Sequence, residues 1–317
     1  MSNQEQTKET QPRRSKRKAK EVEPEESQKP DAKRVKSDSS SKDEEVKENR
    51  VVLYNKNLIE EEEEESSENS QQIERFEPAY ASNTLSNYNT FVCHLGDWKS
   101  PLKNYLSHPQ FRSIFDFVKH EYDIGTCFPP KNLIFNAFQL TPFDKLKVVM
   151  IGLDPFINKN EAMGLSFSVP KDSAWPPSTL NMYKALENDA KLDFKPPIPV
   201  HGDLQGWAKQ GILMLNNWLT VREGSSYSHS KAGWNKFTKA VLSAINKEKD
   251  GVIFLCWGNQ ALKICKGIDK KKHYVLNYGS PSPLSQRFQK FEDCKNFSKV
   301  NEILDEEGLS KIEWNLK

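Results

Sequence analysis

The sequence predicts an α/β fold: a central parallel four-stranded sheet flanked by helices, preceded by a charged tail. Three observations predict it. Four apolar runs of strand length alternate with segments of helical periodicity. The runs are continuously apolar rather than alternating, the pattern of parallel strands covered on both faces. Composition also breaks sharply near residue 85, where aromatic residues become frequent.

Residues 1–84 form the expected tail. The first fifty contain no aromatic residue and are dominated by Lys, Arg, Glu, Ser and Gln. Such a stretch has too little apolar surface to offset its ordering entropy and is expected to be disordered. It carries two basic clusters, "PRRSKRKAK" at 12–20 and "KPDAKRVK" at 29–36. Their economical reading is a nuclear-import signal, with weak nonspecific nucleic-acid attachment in addition. Residues 60–65 are all Glu, a self-repelling block.

The domain is expected over residues 85–317, and its elements follow in order. "KVVMIG" reads as a buried strand ending at Gly152. "GDLQGWAKQ" reads as a short helix, followed by the strand "GILMLN". "GWNKFTKAVLSAINK" has helical periodicity, with Trp234, Phe237, Val241 and Ile245 on one face. Then come the strand "GVIFLCWG", the helix "NQALKICKGI" and the strand "HYVLNY". The last strand runs into a Ser-Pro-Ser-Pro loop that cannot continue it.

Composition excludes several classes. With 46 basic and 44 acidic residues, net charge names no partner. Five scattered cysteines (Cys93, Cys127, Cys256, Cys265, Cys294) lack any Cys-x-x-Cys spacing, which argues for reduced thiols in a nuclear or cytosolic protein. No 18-residue apolar run or secretory signal core is present, so no membrane partner is expected. His and Cys show no metal-ligand spacing, and no nucleotide-binding glycine loop appears, so neither metal nor cofactor is expected.

Parallel sheets place ligands beyond the C-terminal ends of their strands. Four segments therefore belong to one expected site: "GLDPF" (152–156), "LNNW" (215–218), "WGNQ" (257–260) and "GSPSPLS" (279–285). With these residues assembled, the chain from about Trp98 to Trp314 resembles the family-1 uracil-DNA glycosylases. "KVVMIGLDPF…AMGLSFSV", "HGDLQGWAKQGILMLNNWLTVREG", "GVIFLCWGNQA" and "SPSPLS…CKNFSK" are similar to that family's motifs in order and spacing.

The resemblance implies roles residue by residue. Asp154 falls on the carboxylate that positions the attacking water, and Asn216 on the amide that reads the uracil edge. Phe167 falls on the ring that stacks on the flipped base, and Phe156 replaces a Tyr that blocks the thymine methyl. Leu153 lines the same base pocket, in place of a Gln. Pro176, Pro177 and Ser178 match the loop that pinches the DNA backbone, and Gly258 with Asn259 matches a Gly-Ser pair. Ser282 matches a phosphate-contacting serine, and Leu284 the wedge that fills the gap left by an extruded base. His201 and His229 match positions the family uses structurally.

The departures fall on the chemistry. The family has "Gly-Gln-Asp-Pro-Tyr-His" where this chain has "GLDPFI", so Ile157 replaces a His. Ser280 stands where the family has the His that stabilises charge on the departing uracil. Losing one preorganised donor of this kind costs about 2.7–4 kcal/mol, or roughly 10²–10³ in rate. The expectation is therefore a nuclear DNA-binding protein with severely reduced or absent excision, a subunit of a repair or DNA-modification complex. Its protein partners would engage the charged tail or the domain surface. The alternative is an active but slow uracil-DNA glycosylase of base-excision repair.

Overall fold

The computed structural model describes residues 84–195, 198–199 and 201–316. The expected charged tail, with its basic clusters and acidic block, lies outside the described residues except for Thr84. Both Thr84 and Leu85 are buried.

An N-terminal helical layer comes first: α1 (Tyr88–Cys93), α2 (Lys99–Leu106) and α3 (Pro109–Ile124). The start of α3 follows from sequence, since Pro109 occupies the first turn and the His108 ring accepts from Gln110 N at 3.1 Å. Next are a short strand β1 (Cys127–Phe128), α4 (Asn136–Leu140) and the central strand β2 (Val148–Gly152). Beyond it come α5 (Pro177–Glu187), α6 (Gln205–Ala208), β3 (Ile212–Asn216) and β4 (Val221–Arg222). The chain continues with α7 (Trp234–Glu248), β5 (Ile253–Trp257), α8 (Asn259–Ile264), β6 (Tyr274–Tyr278) and α9 (Asn296–Glu306). Among the described residues, no helix is long and apolar enough to cross a membrane.

The main sheet is parallel and four-stranded, in the order β3-β2-β5-β6. All four strands expected from the sequence form it. Every residue of β2, β3 and β5 is buried, as continuous apolar runs require. Strand β6 differs: it is half-buried with Asn277 exposed, whereas β3, the other edge, is fully buried. The predicted face of α7 is correct, with Trp234, Phe237, Val241 and Ile245 all fully buried. A second sheet pairs β1 antiparallel with β4.

Connectivity places the site. The chain leaves β2 for β3 on one side, then crosses to β5 on the other. The order reverses at the C-terminal end of β2, where open α/β sheets form a crevice.

Candidate active site

Strands β2 and β3 run in register up to Gly152 opposite Asn216. Their extensions stay paired, with Asn217 N donating to Gly152 O at 3.0 Å and Trp218 N to Leu153 O at 2.9 Å. Gly152 is required by close approach. A Cβ there would lie 2.2 Å from Asn216 Oδ1 and 2.6 Å from Ser166 Cβ. The Asn216 amide therefore lies across the end of β2, held in a nearly closed environment with 9% of its surface exposed.

Asp154 follows two residues later. Its Oδ2 accepts from Tyr227 N at 2.7 Å, while its Oδ1 is buried with no hydrogen-bond partner. Burial pushes its carboxyl up to about 6, against the opposing pull of the Tyr227 N–H. Near neutral pH the group is ionised, yet it is poised to take a proton. A carboxylate oxygen without a partner at a strand-end crevice is suited to polarise a water or face a developing cation.

Phe167 adopts φ 66°, a left-handed conformation costly for a bulky residue. Its neighbours impose it. Ser166 N donates to Met214 O at 3.0 Å, Ser168 Oγ accepts from Leu204 N at 2.9 Å, and Phe167 O accepts from Thr179 Oγ1 at 2.6 Å. Its half-buried ring lies 5.9 Å from that of Trp257. Phe156 and Ile157 pack on a small apolar cluster of Phe128, Ala162 and Val221. Ile157 thus has an apolar seat, and its carbonyl accepts from Gly224 N at 2.8 Å.

The proline loop leads into α5, with Pro176 buried, Pro177 exposed and Ser178 half-buried. Asn181, one helical turn further, donates from Nδ2 to Pro281 O at 2.9 Å and ties α5 to the β6 loop. Gly258 has φ 86°, and a Cβ on it would meet Ser280 Cβ at 3.1 Å. The ends of β5 and β6 therefore touch through Gly258 and Ser280, with Asn259 exposed beside them at the start of α8.

Ser280 is half-buried. Its Oγ accepts from Ser282 N at 3.2 Å, leaving its own hydroxyl hydrogen to donate elsewhere. Gln286 braces this loop: Nε2 donates to Ser280 O at 3.0 Å and to Ser282 O at 2.9 Å, while Oε1 accepts from Phe291 N at 2.7 Å. Leu284 projects from the braced turn with 81% of its surface exposed.

Four contributors escaped sequence reading. Tyr227 acts through its backbone amide, which no side-chain pattern reports. Asn181 and Gln286 are polar residues whose bonds span the fold or close a turn, so spacing alone does not reveal them. Phe288 was findable: it is a large apolar residue four positions after Leu284 and is 79% exposed, with the Arg287 guanidinium 4.7 Å from its ring centre.

Fold and site together define an α/β protein whose polar and apolar ligand groups converge at the strand ends of a parallel sheet. The family model of the uracil DNA glycosylase superfamily matches residues 138–305. A uracil-DNA glycosylase of Campylobacter lari is 47% identical over 220 residues, 69% of this chain and 93% of the relative. One of Fusobacterium nucleatum is 43% identical over 221 residues, 70% of this chain and 96% of the relative. Among solved structures, mimivirus uracil-DNA glycosylase aligns with TM-score 0.66 and 28% identity, covering 71% of this chain and 89% of that one. The chain belongs to the uracil DNA glycosylase superfamily.

These relatives correct the expectation of a non-catalytic or severely impaired complex subunit. Chains 43% and 47% identical to this one, aligned over 96% and 93% of their length, are named uracil-DNA glycosylase. The physical reason lies in the weight placed on Ser280. Ser280 keeps a hydroxyl at the site, and the loss of one donor, roughly 10²–10³, is small beside enzymic accelerations of about 10⁶–10¹⁷.

Proposed function

We propose that the protein is an active uracil-DNA glycosylase that hydrolyses the N-glycosidic bond of deoxyuridine in DNA. The observation that carries this reading is the Campylobacter lari relative, 47% identical over 93% of its length and named for that activity. The strand-end geometry supports it.

In this reading uracil enters the crevice at the end of β2. Phe167 stacks on the base, the Asn216 amide donates to and accepts from its edge, and Leu153 and Phe156 complete the pocket. The bond from C1′ to N1 breaks with its electron pair leaving on uracil, and a cationic sugar develops. The free Oδ1 of Asp154 faces that cation and orients the water that adds to C1′. Asp154 then takes the water's proton, which a carboxyl pushed up to about 6 favours. Negative charge on uracil meets the Asn216 amide and the Ser280 hydroxyl, whose hydrogen stays available because its oxygen accepts from Ser282 N. Pro176, Pro177, Ser178, Gly258, Asn259 and Ser282 hold the DNA backbone, and Leu284 enters the stack.

The test is incubation of purified protein with uracil-containing single-stranded and duplex oligonucleotides, with abasic sites detected by alkaline cleavage. Turnover by the wild type that Asp154→Asn removes is expected. Absence of turnover on both substrates sinks the proposal.

A further inference from the structure

Glu121, in the last turns of α3, is a buried carboxylate with no place in the mechanism above. Its Oε1 accepts from Arg222 Nη2 at 2.7 Å and its Oε2 from Arg222 Nε at 2.5 Å, a two-pronged grip. Oε2 also pairs with His229 Nε2 at 3.1 Å. The proton arrangement follows from the carboxylate: ionised Glu121 can only accept, so Nε2 carries the hydrogen. Nδ1 of the neutral ring accepts from the Thr220 hydroxyl at 2.8 Å, whose oxygen in turn accepts from Trp234 Nε1 at 2.7 Å. The carboxylate thus holds both the first and the last residue of the loop 222–229.

That loop meets the site at several points: Gly224 N donates to Ile157 O at 2.8 Å, the Tyr227 ring lies 5.3 Å from that of Trp218, and one backbone amide reaches the carboxylate of Asp154. Tyr227 sits at φ 61°, a left-handed conformation a tyrosine seldom adopts, and in it the Tyr227 amide meets Asp154 Oδ2 at 2.7 Å. Within the loop, Arg222 N donates to Ser228 Oγ at 2.8 Å and Ser225 N to Arg222 O at 3.2 Å. These bonds shape the turn. Its first residues are tied to the domain by the β1–β4 pairing at Arg222, by Glu223 N on Thr126 O at 3.0 Å and by Gly224 N on Ile157 O. The end that carries Tyr227 is tied through His229, held by Thr220 and Glu121.

We propose that Glu121 is a positioning residue for Asp154: by gripping Arg222 and His229 together, it fixes the Tyr227 amide to which Asp154 is bound. This rests on the reading of Asp154 as the group that acts on water. The same atoms do not make a metal centre. Glu121, His229 and Cys127 offer ligand atoms within 4.8 Å of one another, but both oxygens of Glu121 are already taken by cationic or N–H donors. Burial also pushes the Cys127 thiol up to about 11, so it is protonated near neutral pH.

The groups facing Glu121 are Arg222, whose hydrogen bonds hold its carboxyl below the usual range, and His229 and Cys127. His229 is lowered chiefly by burial and is neutral near pH 7. Glu223 is the loop's other charged side chain and is exposed. On Asp154, burial and the Tyr227 amide act in opposite directions. Releasing the amide therefore moves Asp154 upward.

The experiment is a titration of aspartate side-chain carbons by NMR, with Asp154 assigned from the Asp154→Asn spectrum, alongside the pH–rate profile of uracil release. Wild type, Glu121→Gln and Ile114→Val are compared; Ile114 is a buried apolar residue of the same helix and serves as the stability control. In Glu121→Gln the Asp154 midpoint and the acid limb of the rate are expected to rise together by about one pH unit. Ile114→Val leaves both in place. If Glu121→Gln does not fold, Arg222→Gln takes its part, since that side chain is 54% exposed. A folded variant with an unmoved Asp154 midpoint overturns the proposal. A moved midpoint in a protein that releases no uracil supports the clamp and refutes the glycosylase reading instead.

Discussion

Gly258 and Ser280 meet across the ends of β5 and β6 so closely that a Cβ on the glycine would stand 3.1 Å from the serine's Cβ. This contact joins the third strand end of the site to the fourth. The absence of a side chain at 258 leaves the space beside position 280 open on that side.

Ser280→His is expected to use that space and place an imidazole donor opposite the departing uracil. Uracil release should then rise by about 10²–10³-fold in single-turnover kinetics. Adding Gly258→Ala should cancel the gain, because alanine is strained at φ 86° and its Cβ crowds position 280. An unchanged rate in the single variant would show that other groups already stabilise the anion.

Gly152→Ala tests the alignment of the two central strand ends. The new methyl would fall 2.2 Å from Asn216 Oδ1, so the amide must move. A misplacement of about 1 Å costs on the order of 10² in rate, and kcat should fall by at least that much. Normal turnover in a folded Gly152→Ala protein would remove Asn216 from the pocket.

Asp154 links activity to stability. Its carboxyl is at about 6 in the folded chain against an ordinary 3.8, so the folded state binds the proton more tightly. The charged form is therefore a burden: absent below about pH 4, it grows as pH rises and is complete above about 6. After discounting for the solvent-facing part of the group, it amounts to about 1–2 kcal/mol. Asp154→Asn should raise Tm at pH 7.5 by about 2–6 °C and lose that gain near pH 4. The wild-type rate should fall as pH drops through about 6, with Asp154 losing its charge.

Leu284 and Phe288 are 81% and 79% exposed, so truncating either should leave thermal stability nearly unchanged. Leu284→Ala should weaken binding to uracil-containing duplex, where an extruded base must be replaced. Phe288→Ala should weaken single-strand binding by about 1–3 kcal/mol, the usual contribution of one stacked base. Fluorescence anisotropy with both DNA forms separates the two, and a Phe288→Ala protein of full single-strand affinity would exclude stacking there.

The sheet was legible because buried parallel strands must be apolar throughout, and β2, β3 and β5 are. Helix α7 was legible through the spacing of Trp234, Phe237, Val241 and Ile245. The strand-end residues could be placed together because parallel topology dictates where strands end. Glu121 was not legible. It precedes Asp154 in the chain, shares no motif with it, and acts through a loop whose contact with that carboxylate is a backbone N–H. The surroundings of Ile157 were not legible either: sequence reports that a polar residue is absent, but not that its replacement packs against Phe128, Ala162 and Val221.

Gln286 closes the turn beneath Leu284 with three hydrogen bonds from a single side-chain amide. A platform so finished before any encounter leaves the deformation to the double helix. Search along DNA should then be sensitive to how easily each step bends, with lesions beside flexible pyrimidine–purine steps found sooner than those in stiff A-tracts.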